Sequence, residues 1–181
     1  MMRDQAEDAL ARSARGDPVA FEEIVRQHQA MVFSIAYRFL GDAPDAEEVA
    51  QDVFLKLHRN LPAIKSAAHL TAWLRKVTTH RSIDQARRRG SSPPLSLDDV
   101  PEPAAEAPLP ELAVKERLQR LVAALPERWR LVVILRYQEE LELREIAEIL
   151  EIPINTVKSS LQRSLALLRE KLTRCFGDVP V

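Results

Sequence analysis

Cysteine is almost missing from these 181 residues: Cys175 stands alone, so no intramolecular disulfide framework can form. Glycine is nearly as scarce, with Gly16, Gly41, Gly90 and Gly177 scattered along the chain. Loops that cradle phosphate need clustered glycines for close backbone approach, and no such cluster exists. Aromatic residues make up 5% of the chain and β-branched runs are few, which removes the usual composition of a sheet. No stretch approaches the roughly 18–20 apolar residues that cross a membrane. The opening "MMRDQAEDAL" has no apolar core of the kind a signal peptide carries. These absences lead to the expectation of a soluble cytoplasmic protein with no membrane insertion.

Catalytic arrangements are missing too. His80, Ser82 and Asp84 lie close in sequence, but on a helix that spacing turns Ser82 away from the other two. No G-x-S-x-G or H-E-x-x-H accompanies them. His28, His58, His69 and His80 are too dispersed to suggest a zinc site. The acids Asp42, Asp45, Glu47, Glu48 and Asp52 gather at and after a helix start, where the helix dipole favours carboxylates without any metal. The expectation is a protein that is not an enzyme and carries neither cofactor nor metal.

What remains is rich in Ala, Leu, Glu and Arg, the composition of an all-α protein. Its net charge of −1 conceals strong segregation. Between Trp73 and Ser92, Arg75, Lys76, Arg81, Arg87, Arg88 and Arg89 face only Asp84. The following stretch to Glu111 holds Asp98, Asp99, Glu102, Glu106 and Glu111 and no cation. From Thr156 to Phe176, Lys158, Arg163, Arg169, Lys171 and Arg174 outnumber Glu170. Polyanion binding depends on such local charge rather than on the sum.

"GSSPPLSLDDVPEPAAEAPLP" has proline and acid but no period, and too little apolar surface to offset chain entropy. A flexible acidic linker over residues 91–111 is expected, joining small helical domains at 1–90 and 112–181. In the first domain, Asp17-Pro18 reads as an N-cap and first helical residue, and Gly41 as a helix end. Asp45 with Glu48 reads as a capping box opening a second helix, and "LTAWLRKVTTHRSIDQARRR" as a third. Cations in the last turn of that helix suit its dipole, yet Arg87, Arg88 and Arg89 join Arg75, Lys76 and Arg81 beside a stackable Trp73. A polyanion-binding surface is the stronger reading.

In the second domain, "LREIAEILEIPINTVKSSLQRSLALLR" has the layout of a helix-turn-helix, with Ala147 small enough for a close crossing and Asn155 as cap of the second helix. Val157, Leu161, Leu165, Leu168 and Leu172 form its apolar stripe. Thr156, Lys158, Ser159, Gln162 and Arg163 lie on the other side, as residue types that reach base edges and phosphates in a major groove. A plain amphipathic helix with a solvated face is the competing reading.

The order of basic helix, acidic spacer and terminal helix-turn-helix resembles the extracytoplasmic-function (ECF) group of sigma-70 family RNA polymerase sigma factors, over residues 18–90 and 112–175. "DAEEVAQDVFLKLHRNL" is similar to its polymerase-clamp segment, "AWLRKVTTHRSIDQARRR" to its minus-ten segment, and "LPERWRLVVILRYQEELELREIAEILEIPINTVKSSLQRS" to its minus-thirty-five domain. The resemblance implies that Asp45, Glu48, Gln51, Asp52 and Phe54 dock on the clamp helices of polymerase. It implies capture of a flipped base by the loop Leu61 to His69. Trp73, Arg75, Lys76, His80, Asp84, Arg87 and Arg88 would line the minus-ten DNA, and Thr156, Lys158, Ser159, Gln162 and Arg163 the minus-thirty-five duplex. Implied partners are core RNA polymerase through its clamp helices and flap, promoter DNA and an anti-sigma factor, with a monomer when free.

The chain departs from the family at several positions. His80 stands where an Asn is common, and Glu142 where Ser or Thr caps the helix. Ser160, Gln162 and Leu165 replace commonly cationic or imidazole side chains, implying fewer phosphate contacts and weaker, less salt-sensitive binding. A free-standing operator-binding regulator is the alternative function, although no dimer signature is evident. A helical adaptor binding only proteins is a third reading, disfavoured by the Arg-rich helix.

Overall fold

The computed structural model describes the backbone of residues 2–90 and 111–176 and the side chains of residues 5–90 and 117–173. The proline-rich acidic stretch on which the linker expectation falls lies outside those residues. Among the described residues there are only helices, and the chain divides into two compact units, residues 1–90 and 91–181.

The first unit holds α1 (Met2–Ala14), α2 (Pro18–Leu40), α3 (Ala43–Asn60), a single 3-10 turn (Leu61–Ala63) and α4 (Ala67–Arg88). α2 starts where Asp17 accepts hydrogen bonds from Val19 and Ala20 N–H, with Pro18 as first helical residue. Caps of this kind contribute about 1 kcal/mol. It stops at Gly41, whose left-handed φ of 73° lets its N–H reach Tyr37 O at 2.8 Å. The cap of α3 is Asp42, not Asp45: Asp42 accepts from Asp45 N–H at 3.0 Å, so the helix begins at Ala43. α4 likewise starts three residues before the expected Leu70, capped by Ser66. α2, α3 and α4 pack pairwise around Ile24, Val32, Val49, Val53, Leu57, Leu70 and Leu74. α1, which no pattern in the sequence suggested, lies on α2, α4 and the 3-10 turn, burying Ala9 and Leu10.

The second unit holds α5 (Glu111–Ala123), α6 (Glu127–Tyr137), α7 (Leu143–Leu150) and α8 (Ile154–Phe176). Leu131 to Leu135 of α6 are all buried, making it the central helix against α5, α7 and α8. Ile146 and Ile149 fix α7 against Val132, Leu135 and Val157, with Leu150 and Ile152 at the edge.

Candidate nucleic-acid interface

α4 is buried through Leu70, Leu74, Val77, Thr78, Thr79 and Ser82. The buried hydroxyls of Thr78 and Ser82 donate to Leu74 O and Thr78 O at 2.7 and 2.8 Å, so small polar residues sit inside without outside partners. At about 100° per residue, Trp73, Lys76, His80, Asp84 and Arg87 fall on one stripe opposite that buried arc. Lys76, Asp84 and Arg87 are exposed, Trp73 and His80 half-buried. Arg88 is exposed at the edge of the stripe. Arg75 does not join it: helical spacing places this half-buried residue on the other side of α4.

Two further side chains of α4, and Arg89 just past its end, point at α3 and its cap. Arg81 is ion-paired with Asp52, and Arg89 with Asp45 and, at 3.0 Å, with Asp42. Gln85 Nε2 donates to Asp45 Oδ1 and Glu48 Oε2 at 3.1 and 3.0 Å. The acidic side of α3 and part of the basic side of α4 are thus one internal seam. Asp45 is buried within it. The Asp42 carboxyl is held below its ordinary pKa, first by the Asp45 N–H it accepts and also by the nearby Arg89 guanidinium.

This geometry splits the five residues expected to form one docking surface. Asp45 and Asp52 turn to α4, and Phe54, about 180° from Asp45 on the helix, packs half-buried against the core. Glu48 and Gln51 are exposed. Between them and His58 lies Leu55, 58% exposed, which the sequence reading passed over. Its signal was its phase: it lies two residues from each of the buried Val53 and Leu57, about 160° round the helix from both.

In the second unit, α7 ends at Glu151, which adopts a left-handed φ of 55° and donates to Ala147 O. Ile152 N–H also reaches Ala147 O, at 3.1 Å, which makes the tight turn of a helix-turn-helix. At the start of α7, Glu145 accepts from Glu142 N–H at 2.8 Å, the reciprocal half of a capping box. Asn155 is not the cap of α8: the helix begins at Ile154, with Pro153 O accepting from Thr156 and Val157 N–H. Asn155 instead stands exposed in the first turn, on the side of Lys158, Gln162 and Arg163, all exposed. Thr156 and Ser159 are half-buried at the margins, and Ser159 Oγ donates to Thr156 O at 3.1 Å.

The buried seam of α8 runs through Val157, Ser160, Ser164 and Leu168, while Leu165 is 37% exposed. Leu161 and Leu172 of the expected stripe pack half-buried against the core, so the stripe holds except at Leu165, and Ser160 and Ser164 join it. Ser160 faces inward, so its replacement of a cation removes no outward contact. Gln162 and Leu165 are the departures that reach the surface.

An exposed polar face on the second helix of a helix-turn-helix, and a separate helical unit with Lys76, Arg87 and Arg88 outward, form the arrangement expected of a two-part DNA-binding protein. Residues 24–92 match the family model for sigma-70 region 2, and residues 115–168 that for sigma-70 region 4. The chain is 32% identical over 173 residues to the ECF RNA polymerase sigma factor SigW of Bacillus subtilis, covering 87% of this chain and 91% of that protein. It is 32% identical over 183 residues to the ECF sigma factor SigE of Mycolicibacterium smegmatis, covering 94% and 70%. In fold it is similar to CnrH, solved with the cytosolic domain of CnrY, at TM-score 0.68 and 20% identity over 94% of this chain and 98% of that one. It is also similar to the sigma factor RpoE of Bartonella quintana, solved with the anti-sigma factor NepR, at TM-score 0.66 and 20% identity over 84% and 96%. The chain belongs to the ECF group of RNA polymerase sigma factors.

Proposed function

We propose that this sigma factor binds core RNA polymerase, brings it to two-part promoters and assists melting of the start region without catalysing a reaction itself. The observation that carries the reading is the pairing of two nucleic-acid faces on separate units. Asn155, Lys158, Gln162 and Arg163 present donors and acceptors at the N-terminal end of α8, where a recognition helix meets base edges. Trp73, Lys76, His80, Asp84 and Arg87 offer one stacking surface and several charges along α4, suited to an unpaired strand. The Leu61–Ser66 connection and the first turn of α4, to His69, are the place for a flipped base.

Polymerase docking falls to the outward face of α3, namely Glu48, Gln51 and the exposed Leu55. Asp45 and Asp52 serve that face by fixing α3 to α4. Residues 1–90 and 112–181 act as the two functional domains, with 91–111 as their tether. The sigma factor RpoE of Bartonella quintana is held by an anti-sigma factor, and a partner of that kind is proposed here too. No helix among the described residues is long and apolar enough to cross a membrane, in keeping with work in the cytoplasm beside polymerase.

The test is capture of core polymerase by the full-length protein, followed by run-off transcription. Promoter-specific transcripts that need the protein support the reading. Promoter binding of equal strength without polymerase overturns it in favour of a free-standing regulator. Leu55→Asp is the sharpest docking variant, because Leu55 has no share in the α3–α4 seam and its loss leaves the fold intact.

A further inference from the structure

The connection between α3 and α4 is held in place by a helix far from it in the chain. Glu7 of α1 lies 60 residues before Ala67, and its Oε1 accepts the Ala67 N–H at 2.9 Å. Ala67 is the first residue of α4, so its N–H has no partner within the helix. The neighbouring groups are satisfied locally: Ser66 Oγ accepts from His69 N–H, and His69 Nδ1 accepts from Lys65 N–H, both at 3.1 Å. Leu61 and Ile64 anchor the connection in the core. The first N–H of α4 takes its partner from α1.

α1 is itself firmly placed. Arg12 pairs with Asp8 at 3.1 Å, Asp17 at 3.8 Å and Glu23 at 2.6 Å, which ties the C-terminal half of α1 to the start of α2. Ala9, Leu10 and Ser13 are buried beneath it. A carboxylate beside a surface meant for DNA is unfavourable in itself, because it repels phosphate. Its use here is a charge-assisted hydrogen bond at a helix N-terminus, where negative charge is favoured.

We infer that Glu7 is a positioning residue for promoter opening, acting through Ala67 N–H to set the start of α4 and the shape of the Leu61–Ser66 connection. The inference rests on the proposed capture of a flipped base by that connection. Capture needs a preformed receptor, since ordering a loop upon binding subtracts from affinity. α1 supplies that order, and base recognition is thereby linked to a helix that touches no base.

The test uses the full-length protein with core RNA polymerase, on a promoter recovered from transcripts that this holoenzyme makes from genomic DNA. Opening is read from permanganate reactivity of unpaired thymines. Glu7→Ala is expected to slow opening about three- to tenfold, the usual worth of one such bond. Glu7→Gln, whose amide oxygen can accept the same bond, should stay within about twofold of wild type. Core affinity should not change in either variant. Ala67→Pro removes the donor while keeping a residue suited to the first helical position, and in that background Glu7→Ala should have no further effect. Opening by Glu7→Ala at the wild-type rate overturns the inference. Equal slowing by Glu7→Gln, equal slowing in the Ala67→Pro background, or a parallel loss of core affinity also overturns it. A wild-type protein that fails to initiate with core polymerase overturns the proposed function instead.

Discussion

α4 and α8 are both basic helices proposed to meet DNA, yet they treat their cations in opposite ways. Arg81 of α4 and Arg89 just past its end turn back onto Asp52, Asp42 and Asp45, and Gln85 joins the same seam. In α8, Lys158 and Arg163 stay on the exposed face, and packing is left to Val157, Ser160, Ser164 and Leu168. A formal count of cations therefore overstates what α4 offers a polyanion. The first unit uses ionic contacts to orient α4 against α3, whereas α8 packs through apolar and small residues and leaves Lys158 and Arg163 exposed.

The largest expected consequence of that contrast falls on Asp45. Asp45→Ala strips Arg89 and Gln85 of a buried partner and should cost the first unit about 2 kcal/mol, below the full cost for a wholly buried pair because Arg89 is half-exposed. Hydrogen exchange of the α3 and α4 amides measures it, and unchanged protection would remove the seam as a stabilising element. In α8 the balance should reverse. Arg163→Ala should lower run-off transcription about tenfold while changing stability by under ~0.5 kcal/mol. A stability loss there as large as that of Asp45→Ala would erase the contrast.

A smaller effect concerns the turn before α8. Glu151 holds a left-handed φ that disfavours any residue with a Cβ, so Glu151→Gly should raise thermal stability of the second unit by up to ~1 kcal/mol. A drop in stability would mean that the Glu151 side chain contributes more than its backbone strain costs. The smallest effect is expected with acid. Asp42 has a lowered pKa in the folded state, so its contribution is present above the ordinary value of 3.8 and lost as pH falls through the lower folded value. Asp42→Asn keeps a capping oxygen but no titrating group, and should flatten the decline of the melting temperature below about pH 4. An identical acid limb in both proteins would rule Asp42 out as its source.

Helix ends were legible where a residue type has one strong use. Asp17-Pro18 and Gly41 bound α2 in just the way their chemistry suggests. The reading slipped where two candidates compete: Asp42 and Asp45 are both good caps, and only Asp45 has a Glu three residues on, yet Asp42 is the cap and Asp45 lies in the seam. α1 left no readable period because, among its described side chains, the buried ones are Ala9, Leu10 and Ser13, with only one large apolar group. The seam of α8 differs from its leucine spacing only in part: Leu165 lies outside it, and Ser160 and Ser164 lie within. Ser164 satisfies its hydroxyl on Ser160 O and Leu161 O of its own helix, so it is buried without needing an outside partner.

By itself, the sequence determined an all-helical chain with a charge-segregated order and a helix-turn-helix, because helical periodicity, caps and composition are local properties. Its family resemblance, carried by contiguous motifs, was legible for the same reason. Tertiary structure alone decided which charges meet each other and which remain for a ligand. Arg81 and Arg88 look alike in the chain, but Arg81 meets Asp52, 29 residues away, and Arg88 stays exposed. The grip of Glu7 on Ala67 belongs to the same class, since a contact across 60 residues leaves no period, motif or composition by which to read it.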